Sequence, residues 1–321
     1  MMRSLFGVLA PGRANARLSV LVYHRVLPSA DPLFPELPEE ARFDAQMRWV
    51  RQWFNVLPLA EAVARLRARS LPSRAMSITF DDGYADNATI ATPVLERLGL
   101  TATFFVSTGF LDGGIMWNDA VIESVRASRR PTLDLTRCGL GRWPLESVPQ
   151  RRAAIDAILH AIKHLDPDER RDRVDHVLEA AGEKPVSTMM MTSDQVSGLA
   201  AAGMSVGGHT VTHPILARLP TARARTEIAE GKARLESILR DRVELFAYPN
   251  GVPVQDYAAE HVKLVQECGF RAAVSTAWGA AAPDDDVWQL PRFTPWDRTR
   301  TRFGLRLARN LMRRKHDRVQ C

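Results

Sequence analysis

The chain has 321 residues, 45% of them hydrophobic and 25% charged, which is ordinary for a globular protein with one large or two smaller cores. Lysine and arginine outnumber aspartate and glutamate by 43 to 37, but nine basic and only two acidic residues lie in 297–321. The positive charge therefore belongs to a tail and not to the body, which argues against a nucleic-acid-binding core.

The cysteines and the first residues indicate the compartment. Cys138, Cys268 and Cys321 are scattered and odd in number, so they form neither a disulfide framework nor a metal-ligand spacing. The apolar run 4–10 is short and is followed by Pro-Gly-Arg at 11–13, unlike a secretory signal or a membrane span. We therefore expect a cytoplasmic protein, with peripheral attachment to the cytosolic face of a membrane as an option.

Short apolar runs and amphipathic segments alternate along most of the chain. The predicted strands are 18–26, 75–80, 101–106, 204–207, 243–248 and 272–275, and the predicted helices are 43–54, 59–69, 90–98, 189–201 and 221–240. This alternation predicts a parallel α/β sheet. The charge-rich stretch 111–192 interrupts it with two predicted helices, 153–164 and 168–181. We interpret this stretch as an insertion that forms a lid or an outer wall.

Two motifs lie directly after predicted strands. Asp81 and Asp82 close the strand 75–80, and His209 and His213 follow the strand 204–207. Alone, Asp-Asp-Gly is typical of a solvated turn, and a pair of histidines four residues apart is often incidental. Together they favour a metal site, because adjacent carboxylates need a neutralising cation or proton, and carboxylate with imidazole is a common ligand set.

The two motifs resemble those of a known family. TFDDGY at 79–84 and HTVTHP at 209–214 are similar to the signatures of the polysaccharide deacetylases, the NodB-homology domains of carbohydrate esterase family four. The resemblance covers residues 17–296 and implies a distorted TIM-like barrel of seven β/α units. The segment 1–16 is then an N-terminal extension. The implied activity is metal-dependent removal of N-acetyl groups from N-acetylhexosamine units of a glycan or glycan precursor.

The resemblance also implies roles for the motif residues. Asp82, His209 and His213 would be the metal ligands, and Asp81 would be the base that takes a proton from water. Zn²⁺ is the expected metal, although the ligand set also admits Co²⁺, Ni²⁺ or Fe²⁺. In barrels of this class the active site lies at the carboxyl ends of the strands, where these residues are predicted to be.

A third motif, Tyr248-Pro249-Asn250, matches the family only in part. The resemblance implies that this turn shapes the acetyl pocket and that the backbone N–H of Asn250 stabilises an oxyanion. Asn250 stands where the family commonly has an aromatic residue, and an ordinary turn is the alternative. The arginine frequent in this motif is replaced by Ala247. Arg292 could orient the base instead, with a surface arginine as an equal alternative.

The general acid is the second departure from the family pattern. A Leu-x-His strand is common near the carboxyl terminus of family members, and this chain has none. The first strand ends in Tyr23-His24-Arg25, which resembles a permuted arrangement known in some members. We therefore predict that His24 protonates the leaving amine; a structural histidine is the alternative.

Two other functions remain open at this point. The same site could remove O-acetyl groups from a sugar ester, or the chain could be a catalytically weak carbohydrate-binding module. The expected substrate is an N-acetylated glycan or a lipid-linked sugar, and the sequence indicates no oligomeric state. In the basic tail 297–321, Phe303, Leu307 and Leu311 form an apolar stripe flanked by arginines. The stripe either contacts an anionic membrane or packs on the barrel.

Overall fold

The structure is a computed structural model that describes residues 2–182, 188–313 and 315–320. Part of the predicted insertion, residues 183–187, lies outside the described residues, as do Arg314 of the predicted basic tail and Cys321. None of the helices in the described part combines the length and the apolar character that crossing a bilayer requires.

The strands form one large parallel sheet and one small hairpin. In chain order they are β1 (Ser19–Tyr23), β2 (Asn55–Val56), β3 (Ala75–Phe80), β4 (Thr103–Val106), β5 (Thr132–Leu135), β6 (Gly141–Pro144), β7 (Ser205–Gly208), β8 (Leu245–Ala247), β9 (Ala272–Trp278) and β10 (Leu290–Arg292). The large sheet runs in the order β1-β3-β4-β7-β8-β9-β10, and β2 pairs beside β3. Every residue of β1 and β3 is buried, which explains why both sequences are mostly apolar and uncharged.

The two ends of this sheet meet and nearly close a barrel. The backbone N–H of Val22 donates to Phe293 O at 3.0 Å, and the N–H of Phe293 donates to Val20 O at 2.8 Å. Seven strands thus surround the centre, and helices cover the outside. The predicted α/β barrel of seven units is confirmed.

The helices follow the predicted alternation with several additions. They are α1 (Met2–Leu9), α2 (Glu40–Trp53), α3 (Leu59–Arg67), α4 (Thr92–Arg97), α5 (Trp117–Ala127), α6 (Val148–Ile162), α7 (Pro167–Ala181), α8 (Ser193–Ala201), α9 (Thr221–Leu239), α10 (Ala259–Glu267) and α11 (Arg300–Met312). The sequence did not predict α1, α5, α10 or the β5–β6 hairpin, and a π-helical turn at Asn87–Ala91 precedes the short α4.

The segment between β4 and β7 has a hydrophobic core of its own. It contains α5, the β5–β6 hairpin, α6 and α7, and its buried side chains include Val121, Val125, Ile155, Ile158 and Val177. Local sequence sets the helix ends, because Ser147 caps α6 together with Gln150, and α7 runs from Pro167 to the left-handed Gly182 at φ 77°.

The C-terminal helix α11 buries its apolar stripe inside the protein. Phe303, Leu307 and Leu311 are at most 2% exposed, and the Phe303 ring lies 5.8 Å from Trp49 and 6.2 Å from Trp53 between centroids. The interpretation of this stripe as a membrane-contacting face is therefore wrong. Its apolar side chains stabilise the packing of α11 on the barrel, which was the alternative.

Candidate active site

The predicted site residues meet at the carboxyl edge of the barrel. They directly follow or end five of the seven barrel strands: His24 after β1, Asp81 and Asp82 after β3, His209 and His213 after β7, Tyr248, Pro249 and Asn250 after β8, and Arg292 at the end of β10. Parallel strands end at the same edge of a barrel, so residues far apart in sequence share one cleft.

Asp81 forms a buried ion pair with Arg292. The guanidinium donates from Nη1 to Oδ1 at 2.7 Å and from Nη2 to Oδ2 at 2.6 Å, and neither residue is more than 2% exposed. Arg292 Nε also donates to Ser275 O at 2.8 Å, which fixes the plane of the guanidinium. Burial raises the pKa of Asp81, but the charge and hydrogen bonds of Arg292, together with the neighbouring histidines, outweigh burial, and the net pKa is lowered. The carboxylate is therefore ionised and held in one orientation at neutral pH.

Asp82, His209 and His213 converge on one point. Asp82 Oδ1 lies 3.4 Å from His209 Nε2 and 3.3 Å from His213 Nε2, and it is buried without a hydrogen bond to any described residue. His209 Nδ1 lies 2.8 Å from Ala247 O and donates to it, so the lone pair of Nε2 faces Asp82. Ligand atoms bound tetrahedrally to one Zn²⁺ would be about 3.4 Å apart. The three residues therefore fit a divalent cation.

The protonation of these three groups agrees with ligand chemistry. Burial opposes the ionisation of Asp82, but the neighbouring histidines hold its pKa below its usual range. Burial lowers the pKa of His213 to about 4, which keeps its imidazole neutral at neutral pH. Burial also acts to lower the pKa of His209, but the carboxylates beside it raise the net value. A proton on His209 therefore competes with a cation for this position.

The ligand loops adopt unusual backbone conformations. Asp82, Thr210 and His213 have φ values of 78°, 67° and 53°, in the left-handed region that non-glycine residues seldom occupy. Gly83 follows at φ 92°, and a Cβ there would lie 2.9 Å from Val106 Cγ1. Such strain is typical of functional sites, where the surrounding structure holds the backbone in place.

Glu227 on α9 supports the loop that carries His209 and His213, and this role was not predicted from the sequence. Its carboxylate accepts hydrogen bonds from Val211 N at 2.9 Å, Thr212 N at 2.8 Å and Thr212 Oγ1 at 2.6 Å. Ser107 supports the same loop by donating to His209 O at 2.9 Å. The available signal was an acidic residue on the apolar face of α9.

His24 lies at the rim of the same cleft. Its side chain is exposed and lines the cleft together with Asp81 and Asp82. The buried Asn87 donates from Nδ2 to His24 O at 2.8 Å, which anchors the backbone at this position. The imidazole is thus free to face a bound molecule from the side of β1.

The turn after β8 contributes backbone and not an aromatic surface. The Tyr248 ring is buried and stacks on Tyr257 at a centroid distance of 3.9 Å, so the prediction that Tyr248 contacts substrate is wrong for its side chain. Asn250 lines the cleft with φ 57°, and Asn250 O accepts from Thr276 Oγ1 at 2.8 Å. Tyr248 supports the turn from below, while Pro249 and Asn250 form it.

The insertion supplies a second group of residues to this cleft, which has a volume of about 340 Å³. These residues come from α5, α6, α7 and the chain next to them: Met116, Trp117, Asn118, Leu159, His160, Lys163 and Arg170. None of them was predicted individually, although the segment was predicted to form a lid or an outer wall.

Known proteins are similar to this chain in sequence and in fold. YxkH of Bacillus subtilis (strain 168), whose name carries a polysaccharide deacetylase assignment, is 24% identical over 279 residues, covering 86% of this chain and 71% of YxkH. The deacetylase PplD of Streptococcus pyogenes, solved with acetate, has a TM-score of 0.59 at 20% identity and covers 87% of this chain and 92% of its own. IcaB of Ammonifex degensii has a TM-score of 0.58 at 19% identity and covers 94% and 99%.

A family model decides the assignment. The model for polysaccharide deacetylase matches residues 68–132 and 154–273, which together are more than half of the chain. The matched regions contain Asp81, Asp82, His209 and His213. This chain therefore belongs to the polysaccharide deacetylase family.

Proposed function

We propose that the protein is a metal-dependent hydrolase that removes N-acetyl groups from N-acetylhexosamine units of a glycan or glycan precursor. The observation that carries the proposal is that two adjacent aspartates have different partners. Asp81 is neutralised by Arg292, and Asp82 faces two histidine nitrogens. One carboxylate is thus a base and the other a ligand.

Asp82, His209 and His213 would hold the cation, and Zn²⁺ suits this set of one oxygen and two nitrogens best. When bound, a divalent cation supplies positive charge that polarises an acetyl carbonyl and eases the deprotonation of water. The fixed tautomer of His209 and the unsatisfied oxygen of Asp82 support this assignment.

Asp81 takes a proton from the attacking water. Its pKa is low because of Arg292, so the carboxylate is in the basic form over the whole neutral range. The two hydrogen bonds from Arg292 leave the remaining lone pairs of Asp81 directed at the cleft, which both aspartates line. Arg292 acts through Asp81 as a positioning residue.

His24 protonates the leaving amine, and the backbone N–H of Asn250 stabilises the oxyanion of the tetrahedral intermediate. Both residues line the cleft on either side of the aspartates. Protonation of the nitrogen is indispensable for an amide, because an amide anion is a poor leaving group. A histidine at this rim therefore favours an N-acetyl substrate over an ester.

Acetate release tests the proposal. The purified protein is freed of metal with a chelator, restored with Zn²⁺, Co²⁺, Ni²⁺ or Fe²⁺, and incubated with N-acetylated oligosaccharides and with an O-acetylated sugar. We expect metal-dependent acetate release from the N-acetylated substrates. Release from the ester alone would make the protein an esterase, and binding without any release would make it a carbohydrate-binding module.

A further inference from the structure

The part of the cleft that the insertion supplies is positively charged. His160 lies on α6, Lys163 directly follows it, and Arg170 lies on α7. Apart from Asp81 and Asp82, none of the residues that line this cleft is acidic. Because Asp81 is paired with Arg292 and Asp82 faces the histidines, neither is a counter-ion for this wall.

Arg170 is a buried cation without an acidic partner among the described residues. It is 8% exposed, its Nη1 donates to Lys163 O at 3.2 Å, and its guanidinium lies 5.0 Å from the centre of the Trp117 ring. Burial lowers the pKa of Arg170, and Asp166 offsets this only in part. A buried charge with one carbonyl and one ring as partners is costly unless an anion is bound nearby.

Lys163 is half-buried beside Arg170, and the structure describes no ion pair for it. The charge of Lys163 acts to lower the pKa of the buried Asp256, but the structure describes no ion pair between the two side chains. One Asp256 oxygen already accepts from Val252 N at 2.9 Å. The ammonium of Lys163 is therefore available to the cleft.

We propose that the wall formed by Lys163 and Arg170 binds an anionic group, a phosphate or a carboxylate, on the sugar that the cleft accepts. The substrate class would then be an anionic N-acetylhexosamine and not a neutral chitin-like chain. The identity of the sugar rests on the proposed function. The cleft is continuous from the aspartates to this wall, so one molecule can contact both.

Equilibrium binding to the full-length protein tests the inference. The probes are N-acetylglucosamine, its 1-phosphate, and N-acetylmuramic acid, which carries a carboxylate. We expect at least one anionic probe to bind about tenfold or more tightly than the neutral sugar, because charge-assisted hydrogen bonds are that strong. The preference should shrink at high salt. The two anionic probes distinguish a phosphate site from a carboxylate site.

Two variants and one control locate the effect. Lys163→Gln and Arg170→Gln should each remove most of the preference, whereas anion binding by the metal itself would survive both. Arg171→Gln is the matched control, because Arg171 is exposed on α7 and pairs with Asp168. If Arg170→Gln fails to fold, Lys163→Gln decides. Equal binding of all three sugars, or a preference that Lys163→Gln leaves intact, would overturn the inference.

The readout separates this inference from the proposed function. Binding requires no turnover. A protein that binds the anionic sugar through Lys163 but releases no acetate would therefore support the anion site and contradict the proposed hydrolase activity. Conversely, a protein that binds and deacetylates neutral and anionic sugars equally well would support the hydrolase activity and contradict the anion site.

Discussion

The barrel side and the insertion side of the cleft hold their polar groups in different ways. On the barrel side, Asp81, His209 and Arg292 are almost fully buried at strand ends, and each is fixed by hydrogen bonds. On the insertion side, Arg170 is buried, but His160 is exposed and Lys163 is half-buried, and the structure describes no ion pair for any of the three. Rigid groups suit bond breaking, and adjustable groups suit recognition.

The two sides also differ in charge. The barrel side presents two carboxylates, of which Asp81 is paired with Arg292 and Asp82 faces His209 and His213. The insertion side presents cations and no carboxylate of its own. Under the two proposals above, the barrel determines the reaction and the insertion selects the substrate. Variants of the barrel side test that separation, beginning with the one that should lose both stability and turnover.

Arg292→Gln should damage the barrel side most. It leaves Asp81 buried beside a neutral group, so the pKa of Asp81 should rise and the acid limb of the pH–rate profile should move to higher pH. We expect about 3–5 kcal/mol of lost stability and about a hundredfold slower turnover at neutral pH. Urea unfolding and a pH–rate profile measure both.

The control for Arg292 is an exposed ion pair. Arg69 pairs with Asp284 on the surface, so Arg69→Gln should cost at most about 1 kcal/mol and leave the pH profile unchanged. An Arg292→Gln protein whose acid limb stays where it was would mean that Arg292 does not control the ionisation of Asp81.

His24→Ala should slow the hydrolysis of an amide more than the hydrolysis of an ester. Loss of a general acid typically costs about 10²–10⁴-fold on an N-acetyl sugar, and an activated ester should lose much less because its leaving group needs little protonation. His176→Ala, an exposed histidine on α7, is the control. Equal losses on both substrates would assign His24 a structural role.

Asp119→Asn should change how the free energy of unfolding depends on pH, and we expect this effect to be smaller than those of Arg292→Gln and His24→Ala. Burial raises the pKa of Asp119 from 3.8 to about 7, and Tyr84 donates to its Oδ2 at 2.9 Å. Between these values the folded state binds more protons than the unfolded state, so stability falls as pH rises through this window. Because asparagine does not titrate, we expect Asp119→Asn to remove about 1–4 kcal/mol of this decline in the free energy of unfolding. Urea unfolding at pH 4.5 and 7.5 measures it, and an unchanged slope would contradict it.

The sequence predicted the barrel well because its strands are buried on both faces. Runs such as 75–80 are mostly apolar and carry no charge, so the turn residues that follow them stand out as the carboxyl edge. The pairing of Asp81 with Arg292 could be proposed but not decided from sequence. It depends on the closure of β10 against β1, which brings together residues 211 positions apart.

The insertion was less predictable because tertiary packing places its residues. Lys163 and Arg170 are ordinary charged helix residues in the sequence, and only the packing of α5, α6 and α7 turns them toward the cleft. Tyr248 was misassigned for a similar reason, since stacking on Tyr257 decides which way its ring points. The sequence left open whether the stripe of α11 contacts a membrane or packs on the barrel, because its aromatic partners on α2 are distant in sequence.

The most direct test compares Asp81→Asn with Asp82→Asn. Metal content per chain and acetate release are measured on both variants and on the unaltered protein, all reconstituted with Zn²⁺. The account predicts that Asp81→Asn keeps its metal and loses about 10²–10⁴-fold in turnover, because only the base is removed. Asp82→Asn should lose metal and turnover together. Full metal content in Asp82→Asn, or metal loss in Asp81→Asn alone, would contradict the division between base and ligand.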